Sequence, residues 1–261
     1  KDDFLVLIKS FLKINYCNSA SKIILKSTSN SIKQFFGSKE AILFPYARTS
    51  LYAILKSYNI KKGSQILMTP FNIYPMIDVI KSLDLEPVFI DINLTDFGPN
   101  YDELENLLSK RPACFFLTYL FGSVPNIEHI LNICNKYNVT LIEDISQNIG
   151  SKFNNKYLGT FGNASIYSSS LTKYVDGYSG SFVLTDNKKL SHKLKLFYKK
   201  LNFPSKSRLR KIILKTLFFN LSLSKLPFSL LVYPILFLIK KFDKLFFKKI
   251  IEQKSSYKKN N

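Results

Sequence analysis

The stretch LIEDISQNIGSKFNNKYLGTFGNASIYSSSLTK, residues 141–173, carries the pattern from which the fold can be inferred. One apolar run ends in Glu143 and Asp144, and a second run over residues 164–170 leads to Lys173. Short apolar runs bounded by Gly and Asn are typical of buried β-strands. Two strands are therefore predicted here, one followed by a carboxylate pair and the other by a lysine.

Outward from this stretch, helical and strand patterns alternate along the chain. Helical periodicity is present over residues 49–60, 75–84, 100–110 and 126–138, and short apolar runs lie at residues 65–70, 86–92, 113–122, 139–144, 164–170 and 181–186. Such alternation predicts an α/β fold with a mostly parallel sheet and helices on both faces. Ligands bind at the carboxyl ends of the strands in sheets of this kind. We therefore expect Asp144 and Lys173 to lie close to a ligand site.

Lys173 is a candidate for chemistry because desolvation at the end of a buried strand lowers the pKa of a lysine and frees a nucleophilic amine. Two structural alternatives fit the same residues. Lys173 and a carboxylate at the neighbouring strand end can form a buried ion pair. Asp144 and Gln147 also have the spacing of a capping box at the start of a helix. The residues alone leave these interpretations open.

Composition excludes several classes of protein. The 261 residues are 46% apolar, which is enough for a sizeable core and unlike a disordered tail. The three cysteines, Cys17, Cys114 and Cys134, have no CxxC spacing, and the two histidines are distant from each other. We therefore expect neither a disulfide framework nor a metal site. This cysteine usage favours a reducing compartment.

The net charge of +20 is concentrated near the C-terminal end. Residues 1–200 carry 24 basic and 16 acidic side chains, whereas residues 201–261 carry 14 basic and 2 acidic side chains. Lysine is preferred over arginine, and no nucleic-acid-binding motif accompanies the charge. We therefore expect no nucleic-acid partner.

The C-terminal part of the chain differs in composition from the rest. Residues 226–239 are uncharged and include Pro227 and Pro234, but 14 residues are fewer than the roughly 20 needed to span a bilayer. Flanking lysines suggest peripheral membrane contact over residues 209–250, and a helix packed on another part of the protein is the alternative. Two parts are predicted, a large domain over residues 1–200 and a basic, apolar helical segment over residues 201–261. Because the first residue is Lys1, we expect the chain to come from a longer parent.

Five segments recur in the order typical of one enzyme family. They are FGSKEAILFPYARTSLYAIL (36–55), PVFIDI (87–92), YDELENLL (101–108), YLFGSVPNIEHI (119–130) and the stretch 141–173 with its Glu-Asp-x-x-Gln and Ser-x-x-x-x-Lys spacing. Residues 36–196 thereby resemble the DegT/DnrJ/EryC1/StrS family of pyridoxal-phosphate-dependent aminotransferases. The resemblance implies the large domain of the aspartate-aminotransferase-like fold, known as fold type I, with most of the small C-terminal domain missing.

The resemblance also implies roles for individual residues around pyridoxal phosphate. Lys173 matches the catalytic lysine that attaches the cofactor and moves a proton during transamination. Asp144 matches the aspartate that pairs with the pyridine nitrogen, since an opposite charge keeps that nitrogen protonated. Gln147 matches a glutamine beside the ring, and Ser168 matches a serine that contacts the phosphate.

Further cofactor contacts are implied at two helix starts. Arg48 and Thr49 match the phosphate-binding turn, where a helix N-terminus favours an anion. Ile73 stands at the position of the aromatic residue that stacks over the cofactor in many members. Either the aliphatic side chain of Ile73 covers the ring, or the adjacent Tyr74 takes that role. A surface arginine is the alternative for Arg48.

Several positions depart from the family pattern. Ala47 replaces a glycine, Tyr119 replaces a histidine, and YSGS at residues 178–181 replaces a glycine-rich run. Related sugar dehydratases carry histidine in place of the lysine, so the retained Lys173 favours transamination.

Two functions are consistent with these features. The first is a cytoplasmic, homodimeric aminotransferase that transfers an amino group, with glutamate as donor, to a nucleotide-linked keto-sugar in cell-surface polysaccharide biosynthesis. The second is a catalytically weak remnant of the fold that acts through a membrane or partner. The isolated chain is expected to be poorly active in either case.

Overall fold

The structure is a computed structural model that describes residues 19–170, 173–175, 177, 179–202 and 205–242. The described residues divide into two compact units, one within residues 17–203 and the other including the described residues after 204. Cys17 lies outside the described residues.

The first unit alternates helices and strands. Its helices are α1 (Ser19–Phe36), α2 (Ala47–Tyr58), α3 (Tyr74–Ser82), α4 (Tyr101–Ser109), α5 (Ile127–Tyr137) and α6 (Lys188–Lys199). Its strands are β1 (Glu40–Phe44), β2 (Gln65–Met68), β3 (Glu86–Phe89), β4 (Cys114–Thr118), β5 (Thr140–Asp144), β6 (Lys152–Phe153), β7 (Lys156–Tyr157), β8 (Ala164–Ser168) and β9 (Ser181–Thr185).

Seven strands form one sheet in the order β1-β9-β8-β5-β4-β2-β3, and β6 pairs with β7 in a separate hairpin. Strands β8, β5, β4, β2 and β3 are parallel to one another, whereas β9 is antiparallel to both of its neighbours. The sheet is therefore mostly parallel, as predicted.

The sheet is covered by helices on both faces. One apolar cluster joins the sheet to α2, α3 and α6, where Leu51, Ile80 and Leu194 are buried. The other cluster includes residues of α1, α4 and α5, among them Leu104 and Ile130. Burial of this apolar surface on both faces is the main favourable contribution to folding. The predicted α/β class is confirmed.

Asparagine side chains and backbones mark several helix ends. The Asn126 Oδ1 accepts a hydrogen bond from His129 N and caps the start of α5. Asn138 and Asn59 end α5 and α2 in the left-handed conformation, with φ of 56° and 52°. Asparagine adopts this conformation more readily than most residues, so the helices end where the neighbouring strands can begin.

The described residues of the second unit are helical. They form α7 (Lys206–Leu223), the short α8 (Lys225–Pro227), a π-helical turn (Phe228–Val232) and α9 (Tyr233–Phe242). The Ser205 Oγ accepts a hydrogen bond from Arg208 N and caps α7.

Candidate active site

The strand register brings several polar residues to one edge of the sheet. Thr118 pairs with Asp144, the last residue of β5, and Ser168 at the end of β8 pairs with Ser181 at the start of β9. Phe44, the last residue of β1, also pairs with Ser181. The carboxyl ends of the parallel strands therefore meet at this edge, where ligands bind in open α/β sheets.

Asp144 and Glu143 point to opposite faces of the sheet because side chains alternate along a strand. Ile142, which shares the face of Asp144, belongs to the apolar cluster with α2, α3 and α6. Leu141 belongs to the opposite cluster with α1, α4 and α5. The two adjacent carboxylates thus have separate surroundings and separate tasks.

Asp144 is a buried carboxylate, only 4% exposed. Its Oδ1 accepts a hydrogen bond from Ser146 N at 2.9 Å. Burial raises the pKa of Asp144, while the hydrogen bonds from Ser146 and the positive charge of Lys173 oppose that shift. The site therefore places a carboxylate where a cationic partner would relieve the cost of burying its charge.

Lys173 lies in the segment that connects β8 to β9. It is partly buried, and its backbone N donates to Ser170 O at 3.1 Å. Hydrogen bonds from Ser169 N to Gly180 O and from Gly177 N to Ser169 O close this connection at its base. The positive charge of Lys173 is near enough to oppose the rise in the pKa of the Asp144 carboxyl. The roles that the sequence analysis gives to these two residues stay predictions.

Ser146 is a site residue that the sequence analysis missed. It is buried, and its hydroxyl accepts a hydrogen bond from Ser168 N at 3.0 Å while also hydrogen-bonding the Asp144 carboxylate. Ser146 thus ties together the ends of β5 and β8, which carry two of the predicted cofactor-binding residues. No sequence signal reveals this role, because the partner N–H lies 22 residues farther along the chain.

Ser168 and the start of α2 border the same edge. The Ser168 Oγ donates to Ser170 Oγ at 3.2 Å, and the side chain is half-buried. Arg48 is exposed, with its guanidinium 4.4 Å from the centre of the Tyr46 ring, and Thr49 is partly buried. Tyr46 supplies no side-chain cap to α2. The first-turn N–H groups of this helix therefore form the kind of positively polarised end that binds phosphate.

Gln147 does not cap a helix. Its Oε1 accepts a hydrogen bond from Phe121 N at 3.3 Å, and residues 145–150 form turns after β5. The capping-box interpretation of Asp144 and Gln147 is therefore wrong. The chain turns instead of forming a helix, and Gly150 has φ of 85°, outside the helical region. Gln147 links the site to the segment after β4.

Tyr74 begins α3 at the same edge and is 38% exposed, while the preceding Ile73 is 63% exposed. The loop before them is anchored by Asn72, whose Nδ2 donates to Thr118 Oγ1 at 3.0 Å and to Thr69 O at 3.2 Å. Since Thr118 pairs with Asp144, this anchor sets the position of Ile73 and Tyr74 beside the candidate site.

Glu143 has a structural task that the sequence left undefined. It is fully buried, and its two oxygens accept four hydrogen bonds, which come from the Tyr119 hydroxyl and from the backbone N–H groups of Gly159, Phe161 and Gly162. Burial raises its pKa, and these four donors oppose the shift. Tyr119 therefore helps to fix β5, and with it the backbone that carries Asp144.

Two cavities lie away from this edge. One of about 410 Å³ is bordered by Phe36, Lys156 and Asp186, and one of about 310 Å³ is bordered by Glu40 and His192. Asp186 follows the end of β9, which is antiparallel to its neighbours, so the larger cavity lies at the opposite edge of the sheet. The strand-end chemistry, not cavity size, defines the candidate site.

A family model matches residues 26–225, and its description is the DegT/DnrJ/EryC1/StrS aminotransferase family. The chain belongs to that family. The predicted membership is thus confirmed. The matched range includes the strands that end in Asp144 and Ser168, and it also includes Lys173.

The chain is also similar in sequence to individual proteins. The chain is 29% identical to the uncharacterized protein MJ1066 of Methanocaldococcus jannaschii, over 63% of this chain and 42% of that protein. It is 27% identical to the UDP-4-amino-4,6-dideoxy-N-acetyl-beta-L-altrosamine transaminase of Helicobacter pylori, over 63% of this chain and 44% of that enzyme. The chain thus spans less than half the length of these two relatives.

The fold is also similar to that of solved structures. One is GDP-4-keto-6-deoxymannose-3-dehydratase with a trapped PLP-glutamate geminal diamine, at a TM-score of 0.66 and 23% identity, over 75% of this chain and 52% of that one. At this identity the match concerns the fold alone, and it confirms the predicted fold class.

Proposed function

We propose that the full-length protein is a pyridoxal-phosphate-dependent aminotransferase that acts on a nucleotide-linked keto-sugar. The observation that carries this proposal is the placement of Lys173 near the buried Asp144 at the carboxyl edge of the sheet. Family membership supports the reaction class.

The residues at this edge fit the cofactor. A buried carboxylate such as Asp144 suits a protonated pyridine nitrogen, since each charge offsets the burial of the other. Ser168 and the start of α2 with Arg48 and Thr49 suit a phosphate group. Bound pyridoxal phosphate supplies an electron sink for carbanion formation.

Each side chain then has a defined task. Asp144 would keep the ring nitrogen protonated, and Ser146 holds Asp144 in place. The Lys173 amine would hold the cofactor covalently, and it would also serve as the group that accepts and donates a proton during transamination. Gln147 would lie beside the cofactor ring, and Tyr74 would cover one of its faces.

The substrates are proposed from the relatives. One relative is a transaminase of a UDP-linked amino sugar, which supports a nucleotide-sugar acceptor. A role in cell-surface polysaccharide biosynthesis is part of the same proposal. A solved neighbour holds a PLP-glutamate adduct, which supports glutamate as the amino donor. Retained Lys173 favours transamination over sugar dehydration.

The proposed domains are the two parts that were predicted from the sequence. We assign the cofactor domain to residues 1–200 and a separate helical segment to residues 201–261. We also propose a homodimer, because the described edge exposes Ile73 and Tyr74 and a second chain would complete the substrate pocket. The buried free thiols of Cys114 and Cys134 suit a reducing cytoplasmic location, with the C-terminal segment against a membrane surface.

Covalent attachment at Lys173 provides the test. The full-length protein is incubated with pyridoxal phosphate, reduced with borohydride, digested and mapped by mass spectrometry. We expect the pyridoxyl group on Lys173, its loss in Lys173→Arg, and normal labelling in Lys189→Arg, which changes an exposed lysine of α6. Absence of labelling in a folded full-length protein would support the catalytically weak remnant instead.

A further inference from the structure

The helices of residues 205–242 expose an extended apolar surface. Its members are large hydrophobic side chains that are at least one-third exposed. They are Leu214, Phe218, Phe219, Leu221, Leu223, Leu226, Leu230, Leu231, Tyr233, Ile235, Leu236, Phe237 and Leu238. We call this set the C-terminal apolar surface. Soluble proteins rarely expose apolar surfaces of such extent, so a surface of this kind indicates contact with a membrane or with another protein.

The exposed side chains are not confined to one stripe of a helix. In α9 the four consecutive residues from Ile235 to Leu238 are all exposed. Consecutive positions on a helix point in directions about 100° apart, so these four surround the helix axis. A helix that packs on a protein surface needs only one apolar face, whereas a helix that is apolar all round suits a protein core or lipid.

The charges of this segment are of one sign. Residues 205–242 contain eight basic residues and no acidic residue. Arg210, Lys211, Lys215 and Lys225 are exposed on its helices. Basic residues beside an apolar helix complement anionic lipid headgroups, with a contribution near the surface from each lysine or arginine.

Four hydroxyl groups of the segment donate to backbone carbonyls three or four residues earlier in the chain. Thr216 donates to Ile212 O, Ser222 to Phe218 O, Ser224 to Leu221 O, and Ser229 to Lys225 O, at distances of 2.7–3.0 Å. These are all the Ser and Thr residues between positions 216 and 229. A polar group must find its partner internally where water is absent, so this pattern is compatible with contact to acyl chains.

The geometry argues for a position at the membrane surface rather than across it. Among the described residues, no single helix is long and apolar enough to cross a membrane. The pair Ser207–Leu223 and Lys225–Leu238 has sufficient length and composition together, but it is bent by 67° at its break. Pro227 and the π-helical turn at Phe228–Val232 lie directly after that break. A bent pair suits shallow insertion with lysines left among the headgroups.

We propose that the C-terminal apolar surface docks on an anionic lipid bilayer and lies in its interface. This inference goes beyond the aminotransfer reaction and does not depend on it. A second copy of this chain is the competing occupant, and the experiment separates it from a lipid surface.

The test is flotation of the full-length protein with vesicles of neutral phosphatidylcholine or of phosphatidylcholine mixed with phosphatidylglycerol. We expect co-flotation with the anionic vesicles and much less with the neutral ones. Leu230→Gln/Leu231→Gln should weaken binding at least about tenfold, because two leucines lose their burial in acyl chains. The matched control is Leu196→Gln, which changes an exposed leucine of α6.

The contribution of the lysine charges to vesicle binding is tested with a separate pair of variants. Lys211→Gln/Lys215→Gln should weaken binding to anionic vesicles by about 20–30-fold at low salt, because each lysine near the surface contributes roughly fivefold. Lys188→Gln/Lys189→Gln, on exposed positions of α6, should not change binding. Added salt should reduce binding of the parent more than that of the lysine variant.

Three results would overturn the proposal. They are failure to float with either vesicle, equal binding to neutral and anionic vesicles, and oligomerisation that the Leu230/Leu231 variant abolishes while vesicle binding is absent. The last result would identify a second copy as the occupant. Borohydride labelling of Lys173 is measured in parallel, so failure of lipid binding is distinguishable from failure of the proposed enzyme activity.

Discussion

Substitution of Ser146 by alanine tests how the site holds its buried carboxylate. The Ser146 hydroxyl accepts from Ser168 N and hydrogen-bonds Asp144, and alanine removes both interactions while leaving the Ser146 backbone N–H in place. A hydrogen bond to a charged group contributes about 1.5–3 kcal/mol, and a buried N–H left without a partner costs about 1–3 kcal/mol. The pKa of Asp144 should rise further, because one of the groups that lowers it is gone.

We expect the Ser146→Ala variant of the full-length protein to bind pyridoxal phosphate about 10–100-fold more weakly. This range follows from the lost bond to the carboxylate, since about 1.4 kcal/mol corresponds to a tenfold change in the dissociation constant. The assay is titration of the apoprotein with the cofactor, followed by absorbance and by quenching of tyrosine fluorescence. Urea unfolding of the apoprotein reports the stability change separately.

Ser165→Ala is the matched control for this experiment. Ser165 lies on β8, the strand that carries Ser168, and is buried like Ser146, but its hydroxyl has no hydrogen-bond partner in the described part of the chain. Its loss should leave cofactor affinity unchanged. If Ser146→Ala and Ser165→Ala bind the cofactor equally well, Ser146 does not hold Asp144 in a position that matters for binding.

Asp144→Asn should still permit borohydride labelling of Lys173 but slow amino transfer by roughly 100-fold or more, because an amide does not hold the ring nitrogen protonated; a normal turnover number would remove Asp144 from the site. Burial raises the pKa of Asp144, so the carboxyl group keeps its proton up to a higher pH in the folded apoprotein than in the unfolded chain. The folded state therefore loses stability as pH rises above the usual carboxyl pKa of about 3.9. Urea unfolding of the apoprotein across the weakly acidic to neutral range should therefore show a smaller loss of stability with rising pH in Asp144→Asn, and identical slopes would contradict this. Glu143→Gln should reduce the free energy of unfolding by about 2–4 kcal/mol, because the new amide group faces N–H donors of the 159–162 loop. Glu128→Gln, at an exposed carboxylate, should change it by less than about 0.5 kcal/mol, and equal effects of the two changes would refute the role given to Glu143.

The sequence was informative where one element carries its own signal. β5 and β8 were predicted because their apolar runs are short and bounded by turn residues, and parallel pairing then brings Asp144 to the end of the sheet that also holds Ser168. Helix α6 was not predicted. Its lysine-rich sequence hides an apolar face that consists mainly of Leu190 and Leu194, four positions apart.

Interactions between segments that are distant along the chain could not be predicted from the sequence. The Ser146 link depends on a backbone N–H of another strand, and the Glu143 oxygens accept from backbone groups of the 159–162 loop. Backbone donors carry no residue signature, so spacing along the chain does not reveal them. Gln147 shows the opposite error, because a local capping pattern was present but the chain turns and the amide bonds Phe121 N instead.

The two outer strands of the sheet limit how this protein can aggregate. On β3, Glu86 N and Ile90 N donate towards β2, so the N–H groups at alternate positions face outward, and one of these positions is occupied by Pro87. Proline has no N–H to offer an incoming strand. On β1, the Ala41 carbonyl accepts from Ser29 Oγ of α1 at 2.6 Å. Both borders are thus poor templates for strand addition, and fibril-like growth from the native sheet is disfavoured even for a chain as lysine-rich and apolar as this one.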